Sequence, residues 1–256
     1  APPGSPYDPG ETLDPDCSPG DSNCTVDSTL SQWTTSGSDI YYQTGNVLVG
    51  TSTSVSDLTV DGSLFLKSSN GSVILGDVSG NSRGGGSVDI QSLRSANTQV
   101  ASGDHAVAFG ILNTASGDYS SAFGAGDIGE DQGNVSSGDY SSAFGLANTA
   151  SGLNSTAFGY YNTASGVNSA ASGSGNTASG GNIASGNTSA AFGTGVNTAS
   201  SQNASAFGVS NSASATSTSS FGFSNSASAT GASAFGYDNT ASGLGASVFG
   251  YINTAS

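Results

Sequence analysis

Residues 101 to 254 are a tandem array, and that periodicity restricts the fold more than any other feature of the chain. A clear unit is ASGLNSTAFGYYNT, Ala150 to Thr163, and rungs begin at 101, 115, 136, 150, 164, 178, 199, 213, 227 and 241. Most steps are 14 residues. Phe-Gly pairs mark the register at Phe109, Phe123, Phe144, Phe158, Phe192, Phe207, Phe221, Phe235 and Phe249, with Ser172 standing in for Phe in the remaining rung. A unit this short buries a face only against its neighbours, so stacking decides the fold and overrides local propensity. Each rung is two heptads of the form Ala-x-Gly-x-x-(Ser/Asn)-(Ser/Thr), as in ASGLNST followed by AFGYYNT. No apolar a/d pair repeats and Gly recurs every seven residues, which excludes a coiled coil. A heptad supplies about four or five strand residues and a turn, and Gly at its third place frees the backbone for a tight corner. Two strands and two turns per 14 residues predict one coil of a narrow parallel β-solenoid.

Stacking such coils at about 4.8 Å aligns like positions into columns. The Phe column is expected to form a stacked aromatic ladder that serves as the structural core. Ala falls on the other face of the same strand, because side chains alternate, and its small size permits close approach of a second backbone. One large side chain per coil leaves little interior to set against about 1–2 kcal/mol of backbone entropy per ordered residue. The solenoids are therefore expected to associate laterally, with a ring of three as the economical closure, and a single chain is not expected to fold stably.

Leu, Ile, Val and Phe together number 45 of 256 residues and the net charge is −15, a composition in the range of disordered chains. The period explains the low apolar content, since each rung has room for one large residue. Three Lys and Arg provide no basic surface for nucleic acid or anionic lipid. With no Met, 39 Gly and 8% charged residues, the chain is not a helical bundle and is a poor candidate for an ordinary α/β enzyme. It contains no apolar run of some 18 residues, so no membrane insertion is expected within this segment. It begins at Ala1 and stops mid-rung at YINTAS, and the natural polypeptide is expected to continue past Ser256.

Three regions follow. All six prolines lie in the first nineteen residues, so residues 1–38 read as an extended, acidic, Pro-rich arm. Within it Cys17 and Cys24 are expected to close a small disulfide loop, which points to an oxidising compartment. Residues 39–100 carry short alternating runs at 45–50, 56–67, 71–80 and 86–94 and read as a β-rich stem. Residues 101–256 are the array, where acidic residues thin out until only Asp238 remains beyond residue 140. Two breaks interrupt the period. The first inserts GEDQGN, 129 to 134, which reads as a solvent-exposed loop; the second adds a six-residue unit near 178 to 190.

The rungs ASGDYSSAFG, NTASGLNSTAFGYYNTASG and GASAFGYDNTASG resemble the head repeats of trimeric autotransporter adhesins, the YadA-like heads, over about 154 residues. The resemblance implies a trimer of left-handed parallel β-rolls on a bacterial surface. Phe stands here where that family often has Ile or Val. The segment GNVLVGTSTSVSDLTVDGSLFLK is similar to stem repeats of phage tail fibres and of large bacterial fibre proteins, a shorter match. Neck, coiled-coil stalk and membrane barrel, which the adhesin family carries, are not in these residues.

Chemical motifs are sparse. GNSRG, 80 to 84, fits G-x-S-x-G, but a nucleophile elbow needs a strand leading into a helix, and His105 is the only base on offer. His105 itself occupies the turn position that Tyr119 and Tyr140 fill in later rungs. GGGSVD, 84 to 89, approaches a calcium nonapeptide without a tandem copy, and Asp127, Glu130 and Asp131 form an acidic loop whose solvated reading is favoured over a calcium site. No catalytic residue, metal site or cofactor is assigned. The column Thr149, Thr163, Thr177, Thr198, Ser212, Ser226, Thr240 and Thr254 reads as a solvent-facing ladder rather than an ice-binding row. Tyr160, Tyr161, Tyr237, Tyr251, Glu130 and Asp131 are the candidate binding surface. The expectation is a non-enzymatic, homotrimeric segment of an extracellular bacterial surface fibre, with host-cell, matrix or glycan ligands and end-to-end assembly through the arm. A phage-like tail fibre is the alternative, and a polysaccharide-active solenoid enzyme stands behind both.

Overall fold

The computed structural model describes residues 33–36, 39–42, 73–76, 79–174 and 181–256. Two units divide the chain, Ala1–Leu64 and Phe65–Ser256. In the first, β1 (Trp33–Ser36) and β2 (Asp39–Tyr42) pair as an antiparallel hairpin. Cys17, Cys24 and the runs at 45–50 and 56–67 lie outside the described residues.

The second unit is a parallel β-solenoid. Strands β3 (Val73–Gly76), β4 (Val88–Leu93) and β5 (Val107–Ile111) open a 12-stranded sheet, to which each later rung adds one five-residue strand up to Ser247–Tyr251. Strand β6 (Thr114–Ala115) opens a 10-stranded sheet of two-residue strands that ends at Thr254–Ala255. Like residues pair in register, so Ala157 faces both Ala143 and Ala171 along the stack. The heptads are thus unequal: AFGYYNT carries the long strand, while ASGLNST is mostly corner. The long-strand sheet also begins before the 14-residue repeat, with Leu75, Ile90 and Phe109 in one column.

Two expectations about the array are corrected. Rung 178 starts instead at Ala184, which pairs with Ala164 and Ala199, so Ile183 takes the place given to Thr177. The six extra residues fall between Ser174 and Gly181, and 175–180 are outside the described residues.

The second correction concerns the core. Phe109, Phe158 and Phe249 are 49%, 58% and 65% exposed, and the other ladder Phe residues are half-buried. Buried instead are the Ala residues on the other face of the same strands, such as Ala143, Ala157 and Ala171, packed against Ala150, Ala164 and Ala184 of the short strands. Alternation places Phe and Ala on opposite faces but does not say which is inside. A coil of 14 residues brings its two strands too close for anything but small side chains, so Ala takes the interior and Phe is turned out.

An asparagine column fills the rest of the interior. Asn113, Asn134, Asn148, Asn162, Asn182, Asn197, Asn211, Asn225 and Asn239 are all buried. Asn162 is typical. Its Nδ2 donates to Phe158 O at 2.9 Å in its own rung and to Gly173 O at 2.8 Å in the next. Its Oδ1 accepts from the backbone N–H of Asn182 at 3.0 Å and from Asn182 Nδ2 at 2.9 Å. The amides therefore form one continuous chain that ties each corner to the corners above and below, which satisfies buried backbone groups that a strand ladder cannot reach. At its N-terminal end Gln91 takes over, with Oε1 accepting from the N–H of Asn113 at 2.7 Å. A less economical column is the buried Ser at the other corner. Ser120, Ser155, Ser169 and Ser189 have no hydroxyl partner among the described residues, and Ala106, Ala204 and Ala232 fill the equivalent place elsewhere in the array.

Candidate functional site

Three surfaces of the solenoid carry chemistry. The outward Phe column runs as two stacks, Phe109–Phe123–Phe144 and Phe192–Phe207–Phe221–Phe235–Phe249, with centroids 4.8–6.1 Å apart and rings within 25° of parallel. The rung spacing sets this geometry, since side chains in register must lie one strand apart. Ser172 interrupts the column and leaves an apolar notch of about 360 Å³ beside Phe144, Phe158 and Phe192.

Aromatic corners form the second surface. Tyr237 stacks with Tyr251 at 5.0 Å on one side and, on the other, with Phe223, which the sequence motifs did not single out, at 4.9 Å. His105, Tyr119 and Tyr140 make another stack at 4.9 and 5.1 Å, each at φ near 57°, so His105 is a surface corner residue. Beside them Asp118 Oδ1 accepts from Asp104 N and Asp139 Oδ1 from Asp118 N, both at 3.0 Å. These carboxylates cap corner N–H groups and are structural.

The third surface is the loop 126–133, closed by a bridge between Asp127 and Gln132. Tyr161 donates its hydroxyl to Asp127 Oδ2 at 2.8 Å and meets Tyr160 edge-on at 4.7 Å. Tyr160, Tyr161 and the acidic loop thus form one cluster, while Tyr237 and Tyr251 lie several rungs along the Tyr160 column and do not join it. Glu130 and Asp131 are exposed at the loop tip. Partial burial and the Asp127 carboxylate push the Tyr161 phenol up to about 12. The Tyr161 hydroxyl, then the Gly129 N–H, hold Asp127 below the usual carboxylate range. A raised phenol value favours the protonated form, so the bond is intact below pH 10 and is lost as pH climbs through about 12. The lowered Asp127 value adds that it is also lost as acid protonates the carboxylate. The expected result is one phenol titrating near pH 12 by phenolate absorbance, absent from Tyr161→Phe.

At the N-terminal end of the roll, buried Asp89 accepts from Arg83 Nε and from an Arg94 terminal nitrogen, both at 2.7 Å, and from Gln91 Nε2 at 2.9 Å. That carboxylate is consumed by cations and an amide, so GGGSVD has no free acid for calcium. Arg83 also fastens the turn at Ser82 through Ser79 O and Asn81 O, and the chain there continues without a helix. Among the described residues no group of three or more His, Cys, Asp or Glu side chains is placed to hold a metal ion.

Residues 101–126, 136–162 and 227–255 match the family model described as YadA head domain repeat (2 copies), each span covering about two stacked rungs. The array is a YadA-like head. No curated protein and no solved structure gives a significant match to the chain. In this YadA-like head the matched spans lie on both sides of the acidic loop, so the loop is an elaboration between regular rungs. The family belongs to adhesin-like surface fibres, and the solenoid offers the corresponding means: flat repeated faces, corner side chains and one loop cluster.

Proposed function

We propose that this chain is a structural and adhesive segment of a homotrimeric fibre on the outside of a bacterium, and that its outward Phe columns pack together along a common axis. The observation that carries this reading is the outward Phe column, two stacks broken at Ser172, on strands whose outward side chains carry no charge. Monomeric proteins rarely leave apolar patches of this extent open, and three such faces closing on one another form a symmetric core. Its action is passive: stacked backbone ladders and amide chains supply stiffness, and corners and loop meet the ligand. The acidic Pro-rich arm then serves to link heads end to end. Light scattering tests the assembly directly. Three 24.7 kDa chains per particle are expected for the native protein, and Phe207→Ser, Phe221→Ser and Phe235→Ser together should lower that mass. A native particle of one chain would refute the trimer.

A further inference from the structure

Long and short strands face each other through Ala, so the outward Phe column and the outward Thr column lie on opposite sides of the roll. The Thr side stays open when the Phe side is covered. A cleft of about 450 Å³ on that side sits over Thr114, Val135 and Thr149 of successive rungs, between residues 96–99 and the loop residues Asp131, Gln132 and Gly133. That size is within the range of small-ligand sites, roughly 300–1,000 Å³.

Six polar side chains line it; Gln99 is committed to Ser95 and Ala96, whereas the side chains of Thr98, Thr114, Thr149, Asp131 and Gln132 make no hydrogen bond to another group among the described residues. Ala96 and Val135 supply aliphatic surface between them, over a floor of buried Leu112 and Ala147. The adjoining backbone is committed, since Thr114, Val135 and Thr149 each donate N–H to the next rung at 2.8 Å. A peptide therefore finds no strand edge to extend. Asp127 and Glu130 beside Asp131 make the cleft acidic, and it contains no Lys or Arg, so anionic ligands are disfavoured.

We propose that this cleft binds a neutral saccharide. A pyranose alternates hydroxyls with C–H surface, matching dispersed hydroxyl, amide and carboxylate groups set among aliphatic ones. Asp131 accepts from a pair of neighbouring sugar hydroxyls, the Thr hydroxyls and the Gln132 amide both donate and accept, and Ala96 and Val135 meet the C–H face. The inference deepens the surface-fibre reading by naming a ligand class, and rests on it only for where the ligand is met.

Saturation-transfer NMR on the full chain, with lactose, cellobiose and chitobiose as probes and glucuronic acid and Nα-acetyl-lysine amide as contrasts, tests it. At least one neutral disaccharide should bind and glucuronic acid should not. Asp131→Gly, suited to the φ of 53° there, and Thr149→Val should each weaken binding about tenfold or more. Failure of all three disaccharides, binding indifferent to both substitutions, or binding of the lysine probe alone would overturn the proposal. The readout does not depend on how many chains the particle contains, so it stands apart from the trimer.

Discussion

Gly159→Ala is expected to unseat the rungs on both sides of it, while Gly245→Asn leaves the array nearly unchanged. Both glycines have positive φ, +115° at Gly159 and +67° at Gly245. Crowding separates them. A Cβ on Gly159 would overlap the carbonyl oxygen of Gly173 in the next rung and crowd Asn162 Nδ2 at 3.1 Å, whereas one on Gly245 meets nothing within 4 Å. Moreover, φ near +67° is the left-handed region that Asn154, Asn168 and Asn203 already occupy at the equivalent corner. By contrast, the Gly159 column is Gly in every rung from Gly110 to Gly250, with φ from 114° to 131°. Backbone strain alone costs on the order of 1–3 kcal/mol for Gly159→Ala. Displacing Gly173 O also disturbs its bond from Asn162, for a total of about 3–5 kcal/mol. Gly245→Asn should stay within about 0.5 kcal/mol. Denaturant midpoints measure both, and equal effects would mean that the rungs are not stacked this closely.

Asn162→Asp should be more damaging still at neutral pH, although the side chains have nearly the same shape. Nδ2 of Asn162 faces three oxygens, Phe158 O at 2.9 Å, Gly173 O at 2.8 Å and Asn148 Oδ1 at 3.2 Å. An ionised carboxylate there has no hydrogen to give any of them and is buried without a cation. Desolvation of such a group costs on the order of 4 kcal/mol or more. Protonation removes the charge and restores one donor, so the deficit relative to the native chain should shrink on acidification. Asn162→Leu, which strands the same acceptors without adding charge, should cost about 3–5 kcal/mol with no such pH dependence. Chemical denaturation at neutral and acidic pH distinguishes them, and a pH-independent Asp variant would place Asn162 outside the interior.

The parallel stack, the exposed acidic loop and the register of every rung but the one that starts at Ala184 are legible in the amino-acid repeat. The stacked Phe column is legible there too, but on the wrong side. Hydrophobicity selects Phe for an interior, and only the narrowness of a 14-residue coil selects Ala, a steric limit that composition does not express. Merging both heptads into one motif hides the asparagine column, because Ser155 and Asn162 then share a single Ser/Asn position. Kept separate, Asn recurs at the sixth place of the second heptad in most rungs, and insertions displace it at Asn134, Asn182 and Asn197. Of the candidate surface, Tyr160, Tyr161, Glu130 and Asp131 cluster through the Asp127 contact, which spans two rungs and leaves no trace in local spacing. The cleft on the Thr face is hidden from the sequence for a similar reason. Its walls come from residues 96–99 and 131–133, brought together only by the stack.

A crystal structure of the assembled array decides whether each roll is filled by Ala and Asn while neighbouring copies cover the Phe columns. Three parallel rolls are expected, with an unbroken Asn amide chain inside each and Phe columns meeting on a shared axis. Phe side chains inside the roll, or Phe columns facing solvent in isolated rolls, would contradict this arrangement.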